Sequence, residues 1–141
     1  MTRVEKNAEE LRRKDVTMIP KFRAWDKILK KMNDVTAIDF ATKPFRVFYS
    51  AYGEDNYFNQ DAILMQSTGM SDINGVEMFE GDIIKAVAFS RLIGVVKYST
   101  ERGAYILEEI NKFTCDFAYL SPFGSFEVLG NIYENPELME V

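Results

Sequence analysis

From residue 21 onward the chain runs in short stretches of alternating apolar and polar residues, broken by turn signals roughly every ten positions. Alternation at a period of two places successive side chains on opposite faces of a strand. Residues 21–26 read this way, with Phe22 and Ala24 on one face and Arg23 and Trp25 on the other. Residues 27–31 supply a turn, and residues 32–40 a return strand carrying Val35, Ile38 and Phe40. Residues 44–52 form another strand, ending in a turn at Gly53-Glu54-Asp55-Asn56. Residues 83–89, 94–99, 104–110 and 126–133 complete the strand set, and Pro136 stops further pairing. Residues 61–66 fit a strand or one helical turn, and residues 111–119 are open between helix and strand.

The stretch 66–87 organises the pattern, with turn signals at Thr68-Gly69, Asn74-Gly75 and Gly81-Asp82. Asn-Gly between apolar runs predicts a type I′ hairpin, which needs φ > 0 at both central residues. Gly81-Asp82 leads into a β-branched strand, followed by Gly94-Val95-Val96-Lys97-Tyr98 and later Phe126-Glu127-Val128-Leu129-Gly130, an order that looks like an SH3-like barrel. The expected fold class is mainly β, with α+β as the alternative. An N-terminal β-hairpin lobe (residues 18–66) precedes a C-terminal SH3-like small barrel (67–138). Phe22, Val47, Ile83, Val95, Ile106 and Val128 are the expected inward residues. Residues 1–17 form a polar extension, disordered or a short helix. Val4, Ala8 and Leu11 are spaced for one helical face, and Glu9 can pair with Arg13 one turn on.

Three ordered blocks carry a resemblance. Ile19-Pro20-Lys21-Phe22-Arg23-Ala24-Trp25-Asp26 with Lys31-Met32 resembles the opening of the YopX family of bacteriophage and prophage proteins. Leu64-Met65-Gln66-Ser67-Thr68-Gly69, the turn from Asp72 to Gly75, and Phe79-Glu80-Gly81-Asp82-Ile83-Ile84 are similar to its central signature. Gly130-Asn131-Ile132-Tyr133-Glu134-Asn135-Pro136-Glu137-Leu138 is similar to its closing segment. Ser67 departs from the aromatic residue often found there, and residues before Met18 have no counterpart. The resemblance implies a β-rich, phage-encoded, possibly oligomeric protein with no catalytic residues to carry over. Because the family's opening follows Met18, that residue is an expected alternative start and residues 1–17 an expected leader.

At 141 residues and 47% apolar composition, the chain can bury a core. The absence of histidine removes Ser-His triads and histidine zinc sites, and leaves Cys115 without an activating base. A lone cysteine fits a reducing cytoplasm, and no apolar run reaches the ~20 residues of a membrane span. Charge divides by segment. Residues 18–50 hold seven Lys/Arg against three Asp, a net +4, and residues 51–141 hold five against fifteen acids, a net −10. Such a division suits two segments that pack on each other, within or between chains, or a basic part that meets an anion.

Few residues invite chemistry. Asp72-Ile73-Asn74-Gly75 places its glycine too early for a calcium loop. Glu77, Glu80 and Asp82 are expected neither to converge on a metal nor to act as an acid/base pair, and no phosphate-cradling glycine motif is present. No catalytic residue, metal site or cofactor is therefore expected. The one candidate binding set is Arg23, Trp25, Lys27, Lys30 and Lys31. Trp25 either fills a core or interface, or stacks on a base or other planar ligand beside those cations. The expected function is a non-enzymatic protein-interaction module of the bacterial cytoplasm, a homo-oligomer that binds a host or phage protein. The alternative is nucleic-acid binding through the basic aromatic lobe, which a sequence pI near 4.8 disfavours.

Overall fold

The computed structural model describes residues 1–14, 20–58, 61–112, 116–121 and 125–140, with side chains described at all of these except 11–14. Cys115, the 122–124 loop and the Leu11 and Arg13 side chains lie outside this set. The fold is mainly β, two antiparallel sheets after one short N-terminal helix. That helix, α1 (Arg3–Lys14), opens on a capping box. The Glu5 N–H donates to Thr2 Oγ1 at 3.1 Å, and the Thr2 N–H to Glu5 Oε2 at 3.0 Å. Val4 on its expected apolar face is 76% exposed, so capping rather than burial supports this turn.

The first sheet contains β1 (Phe22–Asp26), β2 (Lys31–Asp39), β3 (Arg46–Ala51), β4 (Glu54–Phe58), β5 (Ile63–Ser71) and β6 (Glu77–Phe79) in the order β4-β3-β2-β1-β5-β6. Alternation puts Ala24, Val47 and Tyr49 in its core. Buried Asp26 ties the β1–β2 turn to that core. Its Oδ1 accepts the Ile28 and Leu29 N–H groups at 2.9 Å each, and its Oδ2 accepts the Tyr49 hydroxyl at 2.8 Å. The open choice at residues 61–66 resolves as strand from Ile63 onward, the start of β5.

Two turns differ from expectation. The type I′ hairpin lies at Tyr52-Gly53, where both residues have positive φ (54° and 75°) and Ala51 pairs with Glu54. Glu54-Asp55-Asn56 is therefore strand, not turn. At Asn74-Gly75 only the glycine is left-handed (φ 80°). Gly75 N–H donates to Asp72 O at 3.1 Å and Asp72 N–H to Val76 O at 2.7 Å, the pattern of a type I turn closed by a left-handed glycine. The Asp72 side chain selects that form by accepting the Asn74 and Val76 N–H groups at 2.9 and 2.8 Å.

The second sheet contains β7 (Asp82–Ala86), β8 (Ile93–Ser99), β9 (Ala104–Glu109), β10 (Phe117–Tyr119) and β11 (Phe126–Asn131), ordered β10-β9-β8-β7-β11. Four strands run as a meander and the fifth returns beside the first, the strand order of an SH3-like barrel. Its core is Met78, Ile84, Ala86, Leu92, Val96, Leu107 and Phe126. Of the expected inward residues, Val47, Ile83, Val95 and Ile106 are buried. Phe22 and Val128 are only half-buried. Phe22 opens its strand at the sheet end, and Val128 borders the bulge that shifts the β7–β11 register.

The boundary expected between residues 66 and 67 falls inside β5. Met78 of β6 belongs to the second sheet's core, although its strand pairs in the first. The β5–β6 turn also reaches β11, because Ile73 N–H donates to Phe126 O and Val128 N–H to Asp72 Oδ2, both at 2.9 Å. Three residues about the turn thus bind the two sheets together.

Candidate functional site

The five sequence-selected residues do not form one surface. Arg23 points into the junction between the sheets. Its Nη2 lies 2.7 Å from Asp82 Oδ1 and donates to Glu80 O at 3.1 Å. Its guanidinium covers the Phe79 ring at 4.7 Å. Its side chain is 11% exposed and that of Asp82 is 3% exposed, so the cation is neutralised inside the fold. Burial pushes the Asp82 carboxyl above its usual range, against the opposing pull of Arg23 and the Phe79 N–H. Trp25 is half-buried and stacks on Tyr133, with centroids 5.7 Å apart at 21°. Lys27, Lys30 and Lys31 are exposed in and beside the β1–β2 turn, around an Ile28 that is 68% exposed.

The carboxylates around β6 are each engaged separately. Glu77 approaches Lys21 at 3.5 Å, Glu80 Oε1 accepts the Gln66 N–H at 2.8 Å, and Asp82 Oδ2 accepts the Phe79 N–H at 2.8 Å. Among the described residues no three His, Cys, Asp or Glu gather at metal-binding spacing. A groove of about 430 Å³ opens over this junction, lined by Lys21, Arg23, Asn33, Glu77, Phe79 and Asn131. Lys21–Glu77 and Arg23–Asp82 pair within it, and exposed Asp34 on its wall adds a further carboxylate.

The most exposed chemistry lies elsewhere in the first sheet. The rings of Phe48 and Phe58 pack at 5.7 Å across β3 and β4, with the Arg46 guanidinium 5.9 and 5.8 Å from their centroids. Phe40 and Phe45 pack at 5.7 Å on the loop between β2 and β3. Phe40 is 72% and Phe45 45% exposed. These two ring pairs were hidden in the sequence, where the same rings serve equally well as core positions. Only the 13% aromatic content hinted that more rings were present than one small core can cover.

The YopX protein family model matches residues 21–140. The chain belongs to the YopX family. Protein EF1440 from Enterococcus faecalis, a crystal structure, is 33% identical with a TM-score of 0.60, over 88% of this chain and 100% of that one. The crystal structure of protein yopX from Bacillus subtilis is 18% identical with a TM-score of 0.51, over 85% of this chain and 98% of the other, a likeness of fold. No curated protein matches significantly. Helix α1 lies ahead of the YopX match, whereas the Arg23–Asp82 pair, the turn at Asp72 and both aromatic pairs lie within it.

Proposed function

We propose that this YopX-family chain is a phage- or prophage-encoded accessory protein of the bacterial cytoplasm, a non-enzymatic protein-interaction module that works as a homo-oligomer. The observation that carries this reading is the surface aromatic content of the first sheet: Phe58 packs on half-buried Phe48 beneath Arg46 beside the β4 edge, and exposed Phe40 packs on exposed Phe45 in the β2–β3 loop. Aromatic rings with arginine are what interface centres are made of, and an open sheet edge is a template for a further chain. The charge division by segment suits such contacts as well. Light scattering after size exclusion tests the assembly. A multimer at tens of micromolar protein that loosens only partly at ~1 M salt supports it, because screening removes the ionic part of a contact and leaves the apolar part. A monomeric mass at every salt concentration overturns it.

Nucleic-acid binding remains the second reading, favoured by the exposed lysines Lys27, Lys30 and Lys31. Two supports for it are spent within the fold, since Arg23 is ion-paired and one face of Trp25 is taken by Tyr133. Fluorescence anisotropy with single-stranded DNA across a salt series separates the two. A steep salt dependence that is lost in Lys27→Ala, Lys30→Ala, Lys31→Ala would favour nucleic acid.

A further inference from the structure

Resting on the interaction-module reading above, we infer that the groove between the sheets receives an exposed arginine side chain of a partner protein, with Glu77 as its acceptor in place of Lys21. The cations the groove already holds show what it favours. Arg23 lies 4.7 Å from the Phe79 ring centroid and is paired with buried Asp82 at 2.7 Å. Lys21 repeats the arrangement loosely, with its ammonium 5.9 Å from the same centroid and 3.5 Å from Glu77 Oε1. A carboxylate beside an aromatic ring is a setting for a cation with N–H donors.

The two pairs differ in how firmly they are closed. The Arg23 side chain is 11% exposed and its pair is sealed inside the fold, whereas the Lys21 side chain is 56% exposed and free to swing out. Glu77 is also left half-satisfied. Its Oε2 is shielded from solvent and has no hydrogen-bond partner, and its Oε1 meets Lys21 only at salt-bridge distance. An ammonium is a point charge, but a planar guanidinium can donate to both oxygens of one carboxylate, so an arginine entering where Lys21 now lies supplies the donor that Oε2 lacks. Charge points the same way. The groove wall carries Lys21 and Arg23 against Asp34, Glu77 and Asp82, a surplus of one carboxylate. Asp34 stands on β2 opposite Arg23 in the β1–β2 register, while Glu77 is on β6, so Asp34 acts across the groove through its field. The same surplus disfavours a phosphate or carboxylate ligand here.

The test titrates the full, 15N-labelled chain with the tripeptide acetyl-Gly-Arg-Gly-amide and follows backbone amide shifts. Saturable shifts at Asn33, Glu77 and Val128 are expected, with a Kd of about 1–10 mM for so small a probe. The lysine tripeptide should bind about threefold more weakly, and the citrulline tripeptide, which keeps the shape and loses the charge, about tenfold more weakly. Glu77→Gln should weaken the arginine probe about tenfold, and Asp34→Asn about twofold. Lys21→Ala should instead tighten it about two- to fivefold, because the competing cation is gone, and a gain of affinity cannot arise from misfolding. The inference is overturned if the groove amides stay silent, if citrulline binds as well as arginine, or if neither Glu77→Gln nor Lys21→Ala changes the affinity. If the chain is multimeric by light scattering while the groove stays silent, this site is wrong and the interaction-module reading stands. If it is monomeric at every salt concentration yet binds the arginine probe with this variant pattern, the homo-oligomer falls and the site stands.

Discussion

Among the described residues, the second sheet closes over Met78, Ile84, Ala86, Leu92, Val96, Leu107 and Phe126, while the first buries Ala24, Val47 and Tyr49 as a cluster. The first sheet is nonetheless the larger, with six strands against five. What holds it is more polar. Asp26 joins a turn to Tyr49, Arg23 reaches Asp82 across the junction, and Asp72 fixes both a turn and β11. Its spare apolar residues sit outside, as the Phe40, Phe45 and Phe58 surface. On the interaction-module reading proposed above, the second sheet would be the stable platform and the first the presenting element.

The comparison breaks most severely at the platform. Ile83→Asp places a carboxylate at a position with 0% exposure and should cost at least about 4 kcal/mol, unfolding the second sheet. Thermal melting that matches wild type would remove Ile83 from the core. Next comes the junction. Arg23→Met leaves Asp82 buried without its cation, at a cost of about 3–5 kcal/mol near neutral pH. Burial already raises the Asp82 pKa, and losing Arg23 raises it further. A raised folded-state pKa means that the native state holds its proton longer. The stabilising effect of that proton is present at acidic pH and disappears as pH rises through the folded value. The melting deficit of Arg23→Met should therefore be smaller at pH 5 than at pH 8, and an equal deficit at both would count against a charged Asp82 in the variant.

Asp72 titrates in the opposite sense. Burial alone would raise its pKa, but the N–H groups of Val128, Val76 and Asn74 outweigh this and hold the carboxyl below its usual range. Its contribution is present above the unfolded value of about 3.9 and is lost as pH falls through the lower folded value. Asp72→Asn should cost about 1–3 kcal/mol at neutral pH and flatten the acid limb of stability, which denaturant titrations from pH 7 to pH 2 would show. Gly75→Val, at φ 80° with nothing within 4 Å of the added Cβ, tests backbone strain free of steric clash. It should cost about 1–3 kcal/mol, at the low end if the β5–β6 turn can relax. Chemical denaturation of the purified variant reads this directly.

Much of the strand set was legible because alternation and β-branched residues leave a periodic trace. β1, β3, β7, β8, β9 and β11 fall where the pattern put them, within a few residues at their ends. β4 left no such trace. Glu54, Asp55 and Asn56 have poor strand propensity and pair only because the Tyr52-Gly53 turn delivers them alongside β3. The Asn74-Gly75 turn was legible as a turn and as a left-handed glycine, but not as a turn type, since the Asp72 side chain decided that. The candidate site was legible least. Arg23 and the lysines share one short stretch of sequence, yet strand alternation and a partner 59 positions away separate Arg23 from the rest.

By itself the sequence determined the β class, the family and the exclusion of histidine chemistry, because composition, period-two patterning and motif blocks are local properties of the chain. Which aromatics are core and which are surface was decided only by tertiary structure. So was the neutralisation of Arg23 by Asp82, and the edge left open when the first sheet ran out of partners. Each of these depends on what lies across a sheet or a junction, and burial, ion pairing and edge exposure are set by neighbours in space that no local pattern records.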